Sequence, residues 1–220
     1  MGTEPLHSNP NRDARRDSPP LTPPVLNLLH PERFSPQIQR CRQQFLAEDG
    51  RFSAQQILNI SGSSDGFDES SFHIISGTPL QETGIMRVTV VGPLGETEPS
   101  LPFQHFYPGY THPLQPGDAE ISRFLVAPGS RKGKSTSLLI EAAFRLCVRE
   151  NVKRLFIDVV DGDLGVAPKS YEKHFGFHFT GAAGYDDNYS CLTHLMVLEG
   201  TDEIRHVAER LTTRLSRILD

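Results

Sequence analysis

Gly129-Ser-Arg-Lys-Gly-Lys-Ser135 places three cations among small residues, between a strand-like and a helix-like stretch. Ile121 to Ala127 is rich in branched and aromatic residues, as strands are, and Pro128-Gly129 stops it. Ser135 or Thr136 can cap a helix. Behind that cap Leu138, Leu139, Ala142, Ala143, Leu146 and Cys147 form one apolar stripe, which predicts a helix over 135–150. A helix start preceded by glycine and cations is an anion site, because its free N–H groups and its dipole both favour phosphate. Arg131, Lys132, Gly133, Lys134 and Ser135 are therefore candidates to hold a phosphate or pyrophosphate. Two common phosphate loops do not fit. A P-loop needs four residues between its glycines; here three separate Gly129 from Gly133, and Pro128 stands where the first glycine belongs. The G-x-G-x-x-G of a dinucleotide turn is absent.

A third kind of loop fits better. Glu120-Ile-Ser-Arg-Phe-Leu-Val-Ala-Pro128, followed by Gly133, resembles the acid-bearing strand and pyrophosphate loop of the GNAT N-acyltransferases. The family's loop reads Gln/Arg-x-x-Gly-x-Gly/Ala; here Ser130 and Ser135 stand at its ends and Gly133 matches. Ser170-Tyr-Glu-Lys-His-Phe-Gly-Phe177 resembles the family's short helix, whose tyrosine lies near the thioester sulfur. Together the two resemblances cover residues 119–198. A narrower likeness joins Asp65 and Asp68, Arg87, and Glu120-Ile-Ser-Arg123-Phe124. These look like the acyl-homoserine-lactone synthase branch and its relatives, the long-chain N-acyl amino acid synthases. The upstream Arg-x-x-x-Phe of that branch is only approximate, with Arg42 three residues before Phe45, and its tryptophan has no counterpart.

The resemblance implies a mixed α/β (α+β) fold, GNAT-like, with a partly split sheet flanked by helices on both faces. It implies transfer of an acyl group from a pantetheine thioester to an amine. No tightly bound cofactor is expected; acyl-ACP or acyl-CoA is the co-substrate, and an acyl carrier protein is a candidate partner. The chemistry then assigns roles. An ammonium group must lose a proton before it attacks, so Glu120 is the candidate base. The carbonyl oxygen becomes an oxyanion and needs preorganised donors; backbone N–H groups at Leu125 and Val126 supply them if the strand is splayed or bulged there. Tyr171 is the candidate acid for the leaving thiolate. Asp65, Asp68, Arg87, Arg123 and Phe124 would shape the donor and acceptor pocket. The donor chain is read as medium or long, with the aromatic stretch Phe103 to Tyr110 as a possible wall, and the acceptor as a small amine such as an amino acid derivative.

Each residue also has a plainer reading. Glu120 can pair with Arg123 or Arg87, Asp65 and Asp68 can cap a turn, and Tyr171 can be core. Two other functions also remain open: an acetyl-CoA-dependent N-acetyltransferase, and a module of the same fold that binds acyl thioesters without turning them over.

The elements that must position these residues follow from pattern. Ser35 and Pro36 start a helix to about Ala47, with Ile38, Cys41, Arg42 and Phe45 on one face. Ser71 to Ser76 and Gly84 to Val91 read as antiparallel strands, and Lys153 to Val160 as a strand parallel to the one that carries Glu120. A short helix near 167–174, strands at 175–180 and 191–198, and an amphipathic helix over 201–219 complete the domain. Residues 1–35, rich in Pro, Ser, Asn and Arg, read as a disordered tail on which Val25 to Leu29 could dock; the domain is then 36–220.

The net charge of −5, from 22 basic and 27 acidic residues, argues against a nucleic-acid binder. No apolar run has membrane-spanning length and the N-terminus lacks a signal-peptide core. Three scattered cysteines, Cys41, Cys147 and Cys191, suggest a reducing, cytoplasmic setting. No His or Cys spacing indicates a metal, and no Cys/His pair suggests a covalent acyl intermediate, so direct transfer is expected.

Overall fold

The middle strands have apolar residues on both faces and are therefore covered on both. In the computed structural model, which describes residues 25–31, 36–62, 66–78, 81–92, 100–131, 134–160, 168–187 and 190–219, β2 (Phe72–Thr78) and β3 (Gln81–Val90) form an antiparallel pair. β4 (Asp118–Val126) continues that sheet antiparallel to β3. β5 (Arg154–Val160) lies parallel to β4, as the intervening helix requires. β6 (His178–Asp186) and β7 (Cys191–Glu199) complete it, with β7 between β5 and β6.

Strand β1 (Leu26–Leu29) docks where Val25 to Leu29 was expected to, and corrects only its assignment to a disordered tail. It lies inside the stretch assigned to the tail, yet it pairs antiparallel with β2 from Leu26↔Ser76 to Leu29↔His73. Its alternating leucines supply the apolar contact and β2 supplies an open edge. The sheet therefore begins upstream of residue 36; residues 1–24 and 32–35 lie outside the described residues. Helix α1 (Pro36–Asp49) outruns its expected end by about a turn at most, and α2 (Ala54–Gly62) follows it. Helices α3 (Lys134–Arg149), α4 (Pro168–Phe175) and α5 (Thr201–Leu219) stand close to where the periodicity placed them.

The register separates two faces. Ile74, Met86, Val88, Leu155, Ile157 and Met196 pack with α3 and α5 in one core. On the opposite face Ile75 and Ile85 pack on Ile38, Cys41 and Phe45 of α1, while Phe156, Leu195 and Val197 pack under Leu101, Phe103 and Tyr107. The long connection before β4 is thus a lid of core residues on its described part, with a short 3₁₀ turn at Pro102–His105.

The feature that matters most is a defect in pairing. β4 and β5 are neighbours only from Asp118↔Arg154 to Ile121↔Ile157. Beyond Ile121 the two strands run on without pairing to one another, which opens a split in the sheet. β4 is also bulged: Ile85 faces Leu125 but Arg87 faces Ser122, so one extra residue sits on β4. Arg123, in the bulge, has φ +53, the left-handed region. That conformation costs an arginine roughly 1 kcal/mol or more. Its guanidinium bonds the Ile60 carbonyl in the last turn of α2, which helps to hold it there.

Candidate active site

A cleft of about 680 Å³ occupies the split. Glu120, Ser122, Arg123, Phe124, Leu125 and Val126 line it from β4, Ile157, Asp158, Val159 and Val160 from β5, and Tyr171 from α4. Its two arms differ. Toward α1, α2 and the lid the walls are mixed, with Asp49, Arg51, Asn59, Arg87, His105 and Glu120 among Phe52, Ile60, Phe103 and Phe106. Toward α3 and α4 they are apolar, with Ile140, Phe144, Phe175 and Phe177.

Glu120 sits at the last paired turn of β4, opposite Phe156, and is 2% exposed. Its Oε2 accepts a 2.7 Å hydrogen bond from the backbone N–H of Phe103. This fixes a carboxylate at the mouth of the split, with the lid as its orienter.

The arginines are committed elsewhere. Arg42 donates twice to Asp68, at 2.7 and 2.9 Å, and Arg87 donates to Asp68 at 3.0 Å and to Ser122 at 3.0 Å. All three charged residues are essentially buried. Burial alone would raise the Asp68 carboxyl; the Arg42 hydrogen bonds and the charges of Arg42 and Arg87 override it and hold it at about 2. His73, also buried, holds the Asp68 backbone carbonyl at 3.0 Å, and burial lowers its imidazole. Asp68 and Arg87 therefore form a scaffold that braces β3 and β4, in place of the turn cap that was the plainer reading. Asp65 lies outside the described residues.

The bulge decides which N–H groups face the split. Ala127 N–H donates to Thr83 O on β3. Because alternate residues of a strand point to opposite sides, Leu125 faces β3 as well, and Val126 turns its N–H and C=O toward the gap. Arg131 confirms that direction, since its Nε donates to Val126 O at 3.3 Å. Of the two expected donors, Val126 is the one aimed at the cleft.

Arg131 binds Asp49, which Arg51 also clasps. The Arg51 hydrogen bond, against burial, and then Arg131 hold the Asp49 carboxyl at about 2. Lys134 is exposed at the first turn of α3. Ser135 does not cap the helix: it lies inside α3, buried, and donates to Thr83 Oγ1 at 2.9 Å. Lys132 and Gly133 lie outside the described residues.

Tyr171 packs on Phe175 and Phe177 at ring distances of 5.9 and 6.3 Å, and burial raises its phenol. Cys41 and Cys147 are buried, with thiols pushed up by that burial to about 11 and about 12. None of the three cysteines lines the cleft, so a thiol intermediate has no support.

Sequence reasoning missed Asp158. It lies on β5 just past the last pair with β4, and Tyr107 donates to its Oδ1 at 2.5 Å. Burial pushes this carboxyl up, and Asp186 adds to the rise. The available signal was an acid inside the run Leu155-Phe-Ile-Asp-Val-Val160.

No family model matches the chain, and no curated protein does either. Solved structures do match in shape. BjaI, a CoA-dependent acyl-homoserine lactone synthase solved with MTA and also with SAM and isopentyl-CoA, superposes with a TM-score of 0.60 at 16% identity, over 86% of this chain and 90% of its own. The acyl-homoserine lactone synthase LasI gives 0.54 at 16% identity, over 79% and 89%. A Desulfovibrio desulfuricans protein assigned to the GNAT acetyltransferases gives 0.52 at 12%, over 80% and 99%. The chain has the GNAT fold. At these identities the likeness is one of fold. No helix among the described residues is long and apolar enough to cross a membrane.

Proposed function

We propose that the protein is an N-acyltransferase that moves an acyl group directly from a pantetheine thioester to the amine of a small acceptor. The observation that carries this reading is the split itself. One opening presents a fixed buried carboxylate, Glu120, an inward backbone N–H, Val126, and an apolar arm.

Each part has a task. Glu120 takes a proton from the acceptor's ammonium group, directly or through water, which frees the nitrogen lone pair. The nitrogen attacks the thioester carbonyl. Val126 N–H, preorganised in the gap, bonds the oxygen as it gains charge. Collapse of the tetrahedral intermediate breaks the C–S bond; Tyr171 delivers a proton to the leaving thiolate and regains one from the nitrogen, which leaves a neutral amide and a free thiol. Lys134 and the start of α3, with Arg131 where it is not held by Asp49, receive the donor's phosphate. Arg123 on the mixed arm would pair with an acceptor carboxylate, which favours an amino acid or a derivative of one.

The donor chain is medium or long. The cleft volume is typical of a site for a whole small ligand, and Ile140, Phe144, Ile157 and Phe175 give one side of it an apolar wall that suits a hydrocarbon chain. Both acyl-CoA and acyl-ACP fit a loop that recognises phosphate and charge. The test is product analysis by mass spectrometry after incubating the protein with acetyl-, octanoyl- or palmitoyl-CoA, or the same chains on acyl carrier protein, and a mixture of amino acids. N-octanoyl or N-palmitoyl amino acids are expected. Acetylated products alone would favour an acetyltransferase, and thioester binding without any product would favour a non-catalytic module.

A further inference from the structure

The segment from Leu101 to Tyr107 touches both sides of the split. Phe103 N–H donates to Glu120 on β4 at 2.7 Å, and four residues later the Tyr107 hydroxyl donates to Asp158 on β5 at 2.5 Å. The same hydroxyl lies 2.7 Å from Thr193 Oγ1 on β7. Between these contacts the backbone is a closed turn, with Phe106 N–H and Tyr107 N–H both donating to Phe103 O at 2.9 Å. Phe103 and Tyr107 are 1% and 2% exposed, and the Phe103 ring lies 4.9 Å from that of Phe156. β6 leaves room for the turn: a Cβ on Gly184 would stand 2.9 Å from Phe106 O. The two contacts are therefore the ends of one packed body, and displacement at one end moves the other.

We infer that Tyr107 is a positioning residue that couples the ionisation of Asp158 to the aim of Glu120. This rests on the acyl-transfer reading of Glu120 and adds to it a residue that touches neither substrate. An ionised Asp158 accepts the Tyr107 proton in a charge-assisted bond, which seats the turn and so holds Phe103 N–H on Glu120. A protonated Asp158 is a weaker acceptor, and its own O–H competes for the same neighbours. The groups that face Asp158 are Tyr107 from the lid, Asp186 from β6, and Thr193 and His194 from β7, with Cys191 close by. Burial and Asp186 favour its neutral form; the two hydroxyls and His194 favour its charge. Its proton uptake therefore begins at higher pH than that of an ordinary aspartate.

The test uses the full chain as wild type, Tyr107→Phe and Asp158→Asn. Amide hydrogen exchange at Phe103 is followed by NMR against pH, beside the pH profile of transfer from octanoyl-CoA to the amino-acid mixture. Tyr107→Phe keeps the buried ring and removes only the hydroxyl. It should lower the protection of the Phe103 amide, taken against the free-chain rate at the same pH, roughly tenfold and abolish the dependence of that protection on pH. It should also lower kcat roughly ten- to a hundredfold, leave the KM for octanoyl-CoA unchanged, and remove the acid limb that Asp158 imposes. Asp158→Asn should remove the same limb. Unchanged Phe103 exchange in Tyr107→Phe would overturn the coupling, as would faster exchange with an unaltered pH profile. Absence of any transfer by the wild type would defeat the acyl-transfer reading instead, and exchange at Phe103 alone would then decide the coupling.

Discussion

On the β4 side of the split, charge meets charge. Arg42, Asp68 and Arg87 are 0%, 2% and 1% exposed, and the one carboxylate bridges both guanidinium groups through bonds of 2.7 to 3.0 Å. On the β5 side, a carboxyl meets hydroxyls: Asp158 is held by Tyr107 and Thr193 and faces a second acid, Asp186. The first arrangement pins its carboxylate in one state from about pH 2 upward and serves as a brace. The second leaves its carboxyl easier to protonate, because hydroxyls stabilise a charge less than guanidinium groups do. One wall of the cleft is thus built for rigidity and the other for response.

The comparison can be broken most forcefully at Asp68. Asp68→Ala leaves two guanidinium groups buried without their carboxylate, and the loss should be about 3–5 kcal/mol of stability, read as a lower midpoint in urea unfolding. A change below about 1 kcal/mol would show that the cluster does not brace α1 against β3. Next comes Glu120→Gln, which keeps the shape but cannot take a proton. Its fold should survive, and amine acylation should fall roughly a hundredfold to ten-thousandfold; unchanged turnover would remove Glu120 from the mechanism.

Acid should sharpen the contrast. Asp68 is depressed from 3.8 to about 2, so its contribution is fully present above its unfolded value and is lost as pH falls through about 2. At about 1.4 kcal/mol per unit, roughly 2 kcal/mol should disappear between pH 4 and pH 2, and Asp68→Asn should flatten that part of the stability curve. A smaller change tests the apolar arm. Ile140→Phe fills it and should reduce use of palmitoyl-CoA roughly tenfold while sparing acetyl-CoA, at a stability cost of about 1–3 kcal/mol; equal loss with both donors would place the acyl chain elsewhere. The least effect is expected at Arg131. It is 43% exposed, and Asp49 keeps Arg51 as a partner, so Arg131→Ala should cost under about 1 kcal/mol. Any larger defect should appear in the KM for acyl-CoA.

Much of this arrangement was legible in the chain. The helix before β5 forces β4 and β5 to be parallel, and the basic glycine loop and apolar stripe marked the place of α3. Glu120, Arg123, Phe124 and Tyr171 meet in one cleft, as their pattern implied. What was hidden depends on contacts distant in sequence. Arg42 stood on the apolar face of α1 in the sequence itself, but its partner Asp68 is 26 residues away. Tyr107 and Asp158 are 51 residues apart, and only the lid's path over the sheet joins them. β1 was read as tail because proline-rich flanks mask four residues that pair only once β2 offers its edge. Ser135 looked like a cap because its type and position suit one; packing against Thr83 gave its hydroxyl another partner.

We propose that the split holds an acyl pantetheine thioester and releases its acyl group to an amine. Native mass spectrometry of the protein with octanoyl-CoA, before and after addition of the amino-acid mixture, decides this. A one-to-one complex that is stable alone, and that gives free CoA and an N-octanoyl amino acid once the amine is present, is expected. Failure to bind any acyl-CoA or acyl carrier protein, or a complex that persists unchanged with every amine offered, would contradict it.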